Sequence, residues 1–289
     1  MSHSNQTDTA SFDRTDYLVS ANWLAQHLDD VVVFDCRFAL ADPTLGDRQY
    51  QQGHIPGAYH LDLNRDLSSP VAAHGGRHPL PDWAAFVDRL NLTGVQSEPP
   101  TQVVIYDDAR FAFAARLWWM LRYLGHERVA LLDGGWGAWQ QAGLPVEQRE
   151  PRPRIGRFIP QPLPSWTVSI EDVRQRQTAL GSLLIDSRAP ERFRGEQEPI
   201  DPVAGAIPGA INAFWKDVTN EAGYLKPSAE LARHWAKVDD ADEVVVYCGS
   251  GVTACVNLFS MAAVGKPMGK LYPGGWSDWC SYLKEAGDA

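Results

Sequence analysis

The stretch "VVVYCGSGVTAC", residues 244–255, is an apolar run that stops on a lone cysteine and a small, glycine-bearing loop. Its echo lies in the first half of the chain. "VVIYDDARFAFAA", residues 103–115, has the same run and the same tyrosine, but Asp107 stands where Cys248 would be. A short β-branched run ending in a loop and followed by a helical pattern reads as a strand feeding a helix. Ligands in open α/β sheets collect at the carboxyl ends of strands, which is where Cys248 falls.

The echo extends in both directions. "YLVSANWLAQHLDDVVVFDCR" (17–37) runs beside "WTVSIEDVRQRQTALGSLLIDSR" (166–188), each with a serine at an N-cap position, Ser20 and Ser169, and a strand ending in Asp-x-Arg. "GHIPGA" (53–58) matches "GAIPGA" (205–210), and "LLDGGWGAW" (131–139) matches "LYPGGWSDW" (271–279). The order is the same in both halves, and the spacing agrees apart from an insertion in the first half, "NRDLSSPVAAHGGRHPLP" (64–81). Helical patterns such as "PDWAAFVDRL" and "PSAELARHW" alternate with the strands, so each half is an α/β unit with a parallel sheet covered by helices. The expected units are residues 15–146 and 166–286. Between them, residues 147–165 form a linker in which Pro151, Pro153, Pro160, Pro162 and Pro164 block regular structure.

The bulk properties exclude several classes. The chain has 289 residues, of which 44% are hydrophobic and 21% charged, enough apolar material for a sizeable core. A net charge of −10 argues against a nucleic-acid binder that works by phosphate neutralisation. No apolar run reaches the length of a membrane span. The polar start, "MSHSNQTDTASFDRTDY", lacks the basic and apolar parts of a signal peptide and reads as a disordered lead. The four cysteines, Cys36, Cys248, Cys255 and Cys280, include no Cys-x-x-Cys pair, so neither a metal nor a dithiol site is expected. Free thiols point to a reducing, cytoplasmic compartment.

Cys248 is the candidate nucleophile. A cysteine just before a helix meets amide groups that lack intrahelical partners and the positive end of the helix dipole, both of which favour an anionic sulfur. Gly249 and Gly251 let the backbone curl so that successive amides, through Val252 and Thr253, point at one anion. Cys36, Cys255 and Cys280 read as core thiols, the usual fate of a lone cysteine. Trp118 and Trp119 also read as core, and His54 as structural. Asp186 and Arg188 recur as Asp35 and Arg37, and a duplicated pair reads as a structural ion pair.

With these motifs in view, the chain from Tyr17 to about Leu283 resembles the two-domain rhodanese family, the thiosulfate and 3-mercaptopyruvate sulfurtransferases. The resemblance implies two tandem rhodanese-like domains, the second catalytic and the first a degenerate copy with aspartate in place of cysteine. It implies a Cys248 persulfide, a small-molecule sulfur donor, no cofactor, and a thiol acceptor such as a small thiol or a thioredoxin-like protein; cyanide would serve too. "CGSGVTA" (248–254) resembles the mercaptopyruvate version of the loop, while the thiosulfate version carries two cations at positions 249 and 250. Arg192 matches the substrate-binding arginine, whose fork grips a carboxylate; Arg194 is a second candidate. The arginine that the mercaptopyruvate branch has nine residues further on is Asp201 here, which leaves a thiosulfate donor as the alternative. His78 falls where a histidine often stands near the loop serine, Ser250, and would carry protons. The acidic partner of that histidine matches Asn64. The insertion is expected to approach the loop across the domain interface, with Phe38 walling the site. A phosphatase would need an arginine at position 254, which is alanine. A non-catalytic binding module remains the alternative of a different class.

Overall fold

The computed structural model describes residues 17–177 and 179–287. The expected disordered lead, and the first two residues of the unit expected from residue 15, lie outside the described residues. The first half builds a five-stranded parallel sheet from β1 (Leu18–Val19), β2 (Val31–Asp35), β3 (Tyr59–His60), β4 (Gln102–Tyr106) and β5 (Val129–Leu132) in the order β1-β5-β4-β2-β3. The second half repeats it with β6 (Ser182–Asp186), β7 (Ile211–Asn212), β8 (Glu243–Tyr247) and β9 (Lys270–Leu271), ordered β7-β6-β8-β9. The edge held by β1 in the first sheet is reduced in the second to a single parallel bridge, Thr167 to Leu271.

Helices connect the strands. In the first half these are α1 (Ala21–Gln26), α2 (Leu45–Gln52), α3 (Trp83–Asn91), α4 (Ala114–Tyr123) and α5 (Gly135–Gln141). In the second they are α6 (Ile170–Arg176), α7 (Pro190–Phe193), α8 (Ser228–His234), α9 (Ala254–Ala262) and α10 (Gly275–Gly287). The serines act as expected. Ser20 accepts from the Trp23 amide, and Ser169 closes a capping box with Asp172.

Side chains alternate along each strand, so each sheet feeds two cores. Val31, Val33, Val104 and Tyr106 face an outer core of the first half, and Val245 and Tyr247 an outer core of the second. Val32, Phe34, Val103 and Ile105 face inward, as does Val246, into one core shared by both halves. There α4 packs on α9, and Phe259 meets Trp118 edge-on at 5.1 Å and Phe111 at 5.6 Å. A buried aromatic of this size is worth about 3–5 kcal/mol against truncation. The two halves are therefore locked by core packing, with the Cys248 loop at their seam. Trp118 and Trp119 are fully buried, as expected.

The duplicated motifs brace the strand ends. Arg37 binds Asp35 at 2.5 Å and the Gly53 carbonyl at 2.7 Å; Arg188 binds Asp186 at 2.6 Å and the Gly205 carbonyl at 2.6 Å. The tyrosine before each loop accepts the amide of the Ile-Pro-Gly turn, Ile55 to Tyr106 and Ile207 to Tyr247. His54 stacks on Tyr50 and bonds its carbonyl, a structural role. The proline-rich connection is strapped along the first domain through bridges from Glu147, Arg154 and Arg157.

Candidate active site

β8 delivers Cys248 to the seam, and α9 begins at Ala254 with Thr253 as its N-cap. Gly251 makes the turn between them. Its φ is +70°, and a Cβ there would stand 2.3 Å from the Pro273 carbonyl oxygen, so no other residue fits without displacement. The carbonyls of Cys248 and Gly249 accept from the amides of Trp276 and Ser277 at 2.8 Å each, which ties the loop to the start of α10. The amides of Ser250, Gly251, Val252 and Thr253 donate to no protein group among the described residues. They are open donors in the loop that follows Cys248, the kind of backbone that can cradle an anion.

Cys248, Gly249, Ser250, Val252 and Thr253 line a cavity of about 510 Å³ with Arg192, Arg188, Arg77 and His78. Gly251 does not line it; it shapes the turn, and its carbonyl accepts from Arg116 at 3.1 Å. Phe38 does not line it either. Phe113 does, and Phe38 backs that ring at a centroid distance of 5.3 Å. Arg194 is exposed and pairs with Glu196 at 2.7 Å.

The insertion crosses the seam as expected. The Gly75 amide donates to Asp278 and the Arg77 amide to Ser277, at 2.7 and 3.1 Å. His78 Nδ1 then lies 2.7 Å from Ser250 Oγ. Burial, assisted by the cations Arg116 and Arg77, pushes the His78 pKa down to about 4. Near neutral pH the ring is uncharged and exchanges a hydrogen bond with Ser250. No carboxylate pairs with His78 among the described residues, and Asn64 does not bond it.

Arg192 sits at the end of α7. Its Nη2 binds Glu198 at 2.7 Å and Asp201 at 2.9 Å. Asp201 is more than a missing arginine: its other oxygen holds Arg77 Nη1, from the first domain. Sequence reasoning missed Arg77 and Arg116. Arg77 was overshadowed by the adjacent histidine. Arg116 did leave a signal, as the single charge inside the apolar helical run "FAFAARLWWML". It is fully buried, bonds the carbonyls of Gly251 and His78, and has no carboxylate partner among the described residues.

The other thiols are held protonated. Burial pushes Cys255 up to about 12 and raises Cys36 and Cys280 as well. No group of three or more potential metal ligands is gathered among the described residues, and none of their helices is long and apolar enough to cross a membrane.

A cysteine in an open loop of amides, matched in the first half by a loop that carries aspartate in its place, points to a class of protein, and comparison with known families agrees. The model of the rhodanese-like domain matches residues 20–142 and 169–282. The chain belongs to the rhodanese family. It is 47% identical over 269 residues to a probable 3-mercaptopyruvate sulfurtransferase from Pseudomonas aeruginosa, covering 91% of this chain and 94% of that protein. It is 38% identical to a putative thiosulfate sulfurtransferase from Mycobacterium tuberculosis, covering 93% and 95%. The solved 3-mercaptopyruvate sulfurtransferase from Leishmania major superposes with a TM-score of 0.82 at 30% identity, covering 93% of this chain and 75% of that one.

Proposed function

We propose that the chain is a sulfurtransferase that takes sulfur from 3-mercaptopyruvate through a persulfide on Cys248, with residues 166–286 as the catalytic unit. The observation that carries this reading is the open row of loop amides around Cys248, between the His78–Ser250 pair and the Arg192 guanidinium. The names of the relatives, of which two specify mercaptopyruvate, support it.

The Cys248 sulfur attacks the donor's sulfur, an S–S bond forms, and the donor's C–S bond breaks. The electron pair of that bond leaves on the pyruvate enolate, which takes a proton to become pyruvate. Ser250, held by His78, lies where it can relay that proton. The loop amides of Gly249 to Thr253 hold the negative persulfide. Arg192 grips the donor's carboxylate. An acceptor then attacks the outer sulfur and returns Cys248 to its starting state, a ping-pong cycle. A small thiol, a thioredoxin-like protein or cyanide suits that step. Four free cysteines suit a cytoplasmic setting.

A thiosulfate donor follows the same covalent route and is the second reading, favoured by the cationic mouth formed by Arg77, Arg188 and Arg192. The neutral residues at 249 and 250 weigh against it. Steady-state kinetics with both donors decide the matter: kcat/KM is expected to favour mercaptopyruvate, and a preference for thiosulfate would reverse the assignment.

A further inference from the structure

Asp201 is nearly buried and holds two arginines at once, one from each domain. Its Oδ1 takes Arg77 Nη1 and its Oδ2 takes Arg192 Nη2. Glu198 takes the Nε and Nη2 of Arg192. Among the described residues this leaves one terminal nitrogen of each guanidinium uncommitted, Arg77 Nη2 and Arg192 Nη1. Both face the same place. A Cβ on Gly249 would stand 2.8 Å from Arg77 Nη2 and 3.7 Å from both terminal nitrogens of Arg192, the free Nη1 among them. Gly249 follows the reacting cysteine, and both arginines line its cavity.

Two free nitrogens on converging guanidiniums match the two oxygens of one carboxylate. A surface latch between domains would have no need to turn a free donor toward the active loop. The Arg77 side chain is 29% exposed, so a ligand entering the cavity can reach it. A like-charged neighbour at this range is tolerated because Asp201 lies between the two, and a bound carboxylate would neutralise the face they share.

We propose that Arg77, supplied by the first domain, is a donor-binding residue that grips the donor's carboxylate together with Arg192, and that Asp201 is the positioning residue for both. The inference rests on the reading of the cavity as the site of a carboxylate-bearing sulfur donor. It makes the first domain part of the substrate site.

The test compares alkylation of Cys248 by iodoacetate and iodoacetamide, a charged and a neutral reagent of nearly the same shape, located by peptide mass. The wild-type ratio of the two rates is expected to fall about tenfold in Arg77→Gln, the loss of one charge-assisted contact, and to recover in part in Arg77→Lys. A mere latch would change both rates together and leave the ratio untouched, which would overturn the proposal. If Arg77→Gln does not fold, Arg77→Lys against wild type carries the same comparison: a smaller drop in the ratio supports the proposal, and an unchanged ratio overturns it. Single-turnover persulfide formation separates the two levels of inference. A wild-type protein that gains no sulfur from mercaptopyruvate refutes the function itself. A wild type that does gain sulfur, with unchanged half-saturation in Arg77→Gln, refutes only the role of Arg77; a rise of about tenfold or more supports it.

Discussion

The loops at Asp107 and Cys248 are the same piece of backbone with opposite contents. Asp107 turns its carboxylate into its own loop and accepts from the amides of Ala109, Phe111, Phe113 and Ala114, all at 2.9–3.0 Å. The cradle that would receive an anion is already full, and the space beside it is only about 100 Å³. In the second loop the sulfur of Cys248 leaves the row of amides open, and the cavity is about five times larger. The turn shows the same divergence. Gly251 adopts its positive φ without cost, whereas Arg110 at the matching position sits at φ +60° and Phe111 at +69°. Arg110 is held there by reaching across the seam to Thr219 and the Lys216 carbonyl. One copy fills the shared backbone loop with its own carboxylate, and the other leaves it open. The first copy also reaches the second: His78 and Arg116 bond the Cys248 loop, and Arg77 bonds Asp201 and lines the same cavity.

Cys248→Ser is expected to abolish sulfur transfer, by about 10³-fold or more, since a hydroxyl of similar size fits the loop but cannot carry the sulfur. Circular dichroism should show the fold unchanged, and near-normal turnover would remove Cys248 from the mechanism. Asp107→Ala should act the other way round. It strands four amides, three of them buried, and is expected to cost about 3 kcal/mol or more of stability in urea unfolding, while the folded protein retains its kcat. A neutral effect on stability would mean that the carboxylate does not hold its loop.

His78 gives a subtler effect, in the pH dependence of stability. Its ordinary pKa is 6.5 and its folded value about 4. Between these values the unfolded chain binds a proton that the folded protein does not. Stability therefore falls as the pH drops through this window, and the loss is complete below about pH 4. The size of the loss is about 3 kcal/mol. Since His126 and His234 are also lowered by burial, the difference between wild type and His78→Gln isolates the contribution. A shallower acid slope in His78→Gln is expected, and identical slopes would contradict a buried, neutral His78.

Much of this was legible in the sequence because it was written twice. The repeat exposed both sheets, both serine caps and the Asp-x-Arg braces, since local patterns carry each of them. The Cys248 loop was readable because the glycines, the strand and the helix start are adjacent in sequence. The groups from across the seam were harder to read. His78 was reached through resemblance, and Arg77 not at all, because its partner Asp201 is 124 residues away and no local pattern links them. Phe38 was misplaced by one layer, since spacing along a chain does not say which of two rings, Phe38 or Phe113, faces the cavity.

If the open cradle, and not its filled copy, carries the sulfur, Cys248 is where that sulfur is found. The most direct measurement is the mass of the protein after brief exposure to mercaptopyruvate without acceptor, followed by peptide mapping. The expected result is a gain of about 32 Da, one sulfur atom, on Cys248, reversed by cyanide and absent in Cys248→Ser. A gain on Cys36, Cys255 or Cys280 in place of Cys248, or no gain at all, would contradict it.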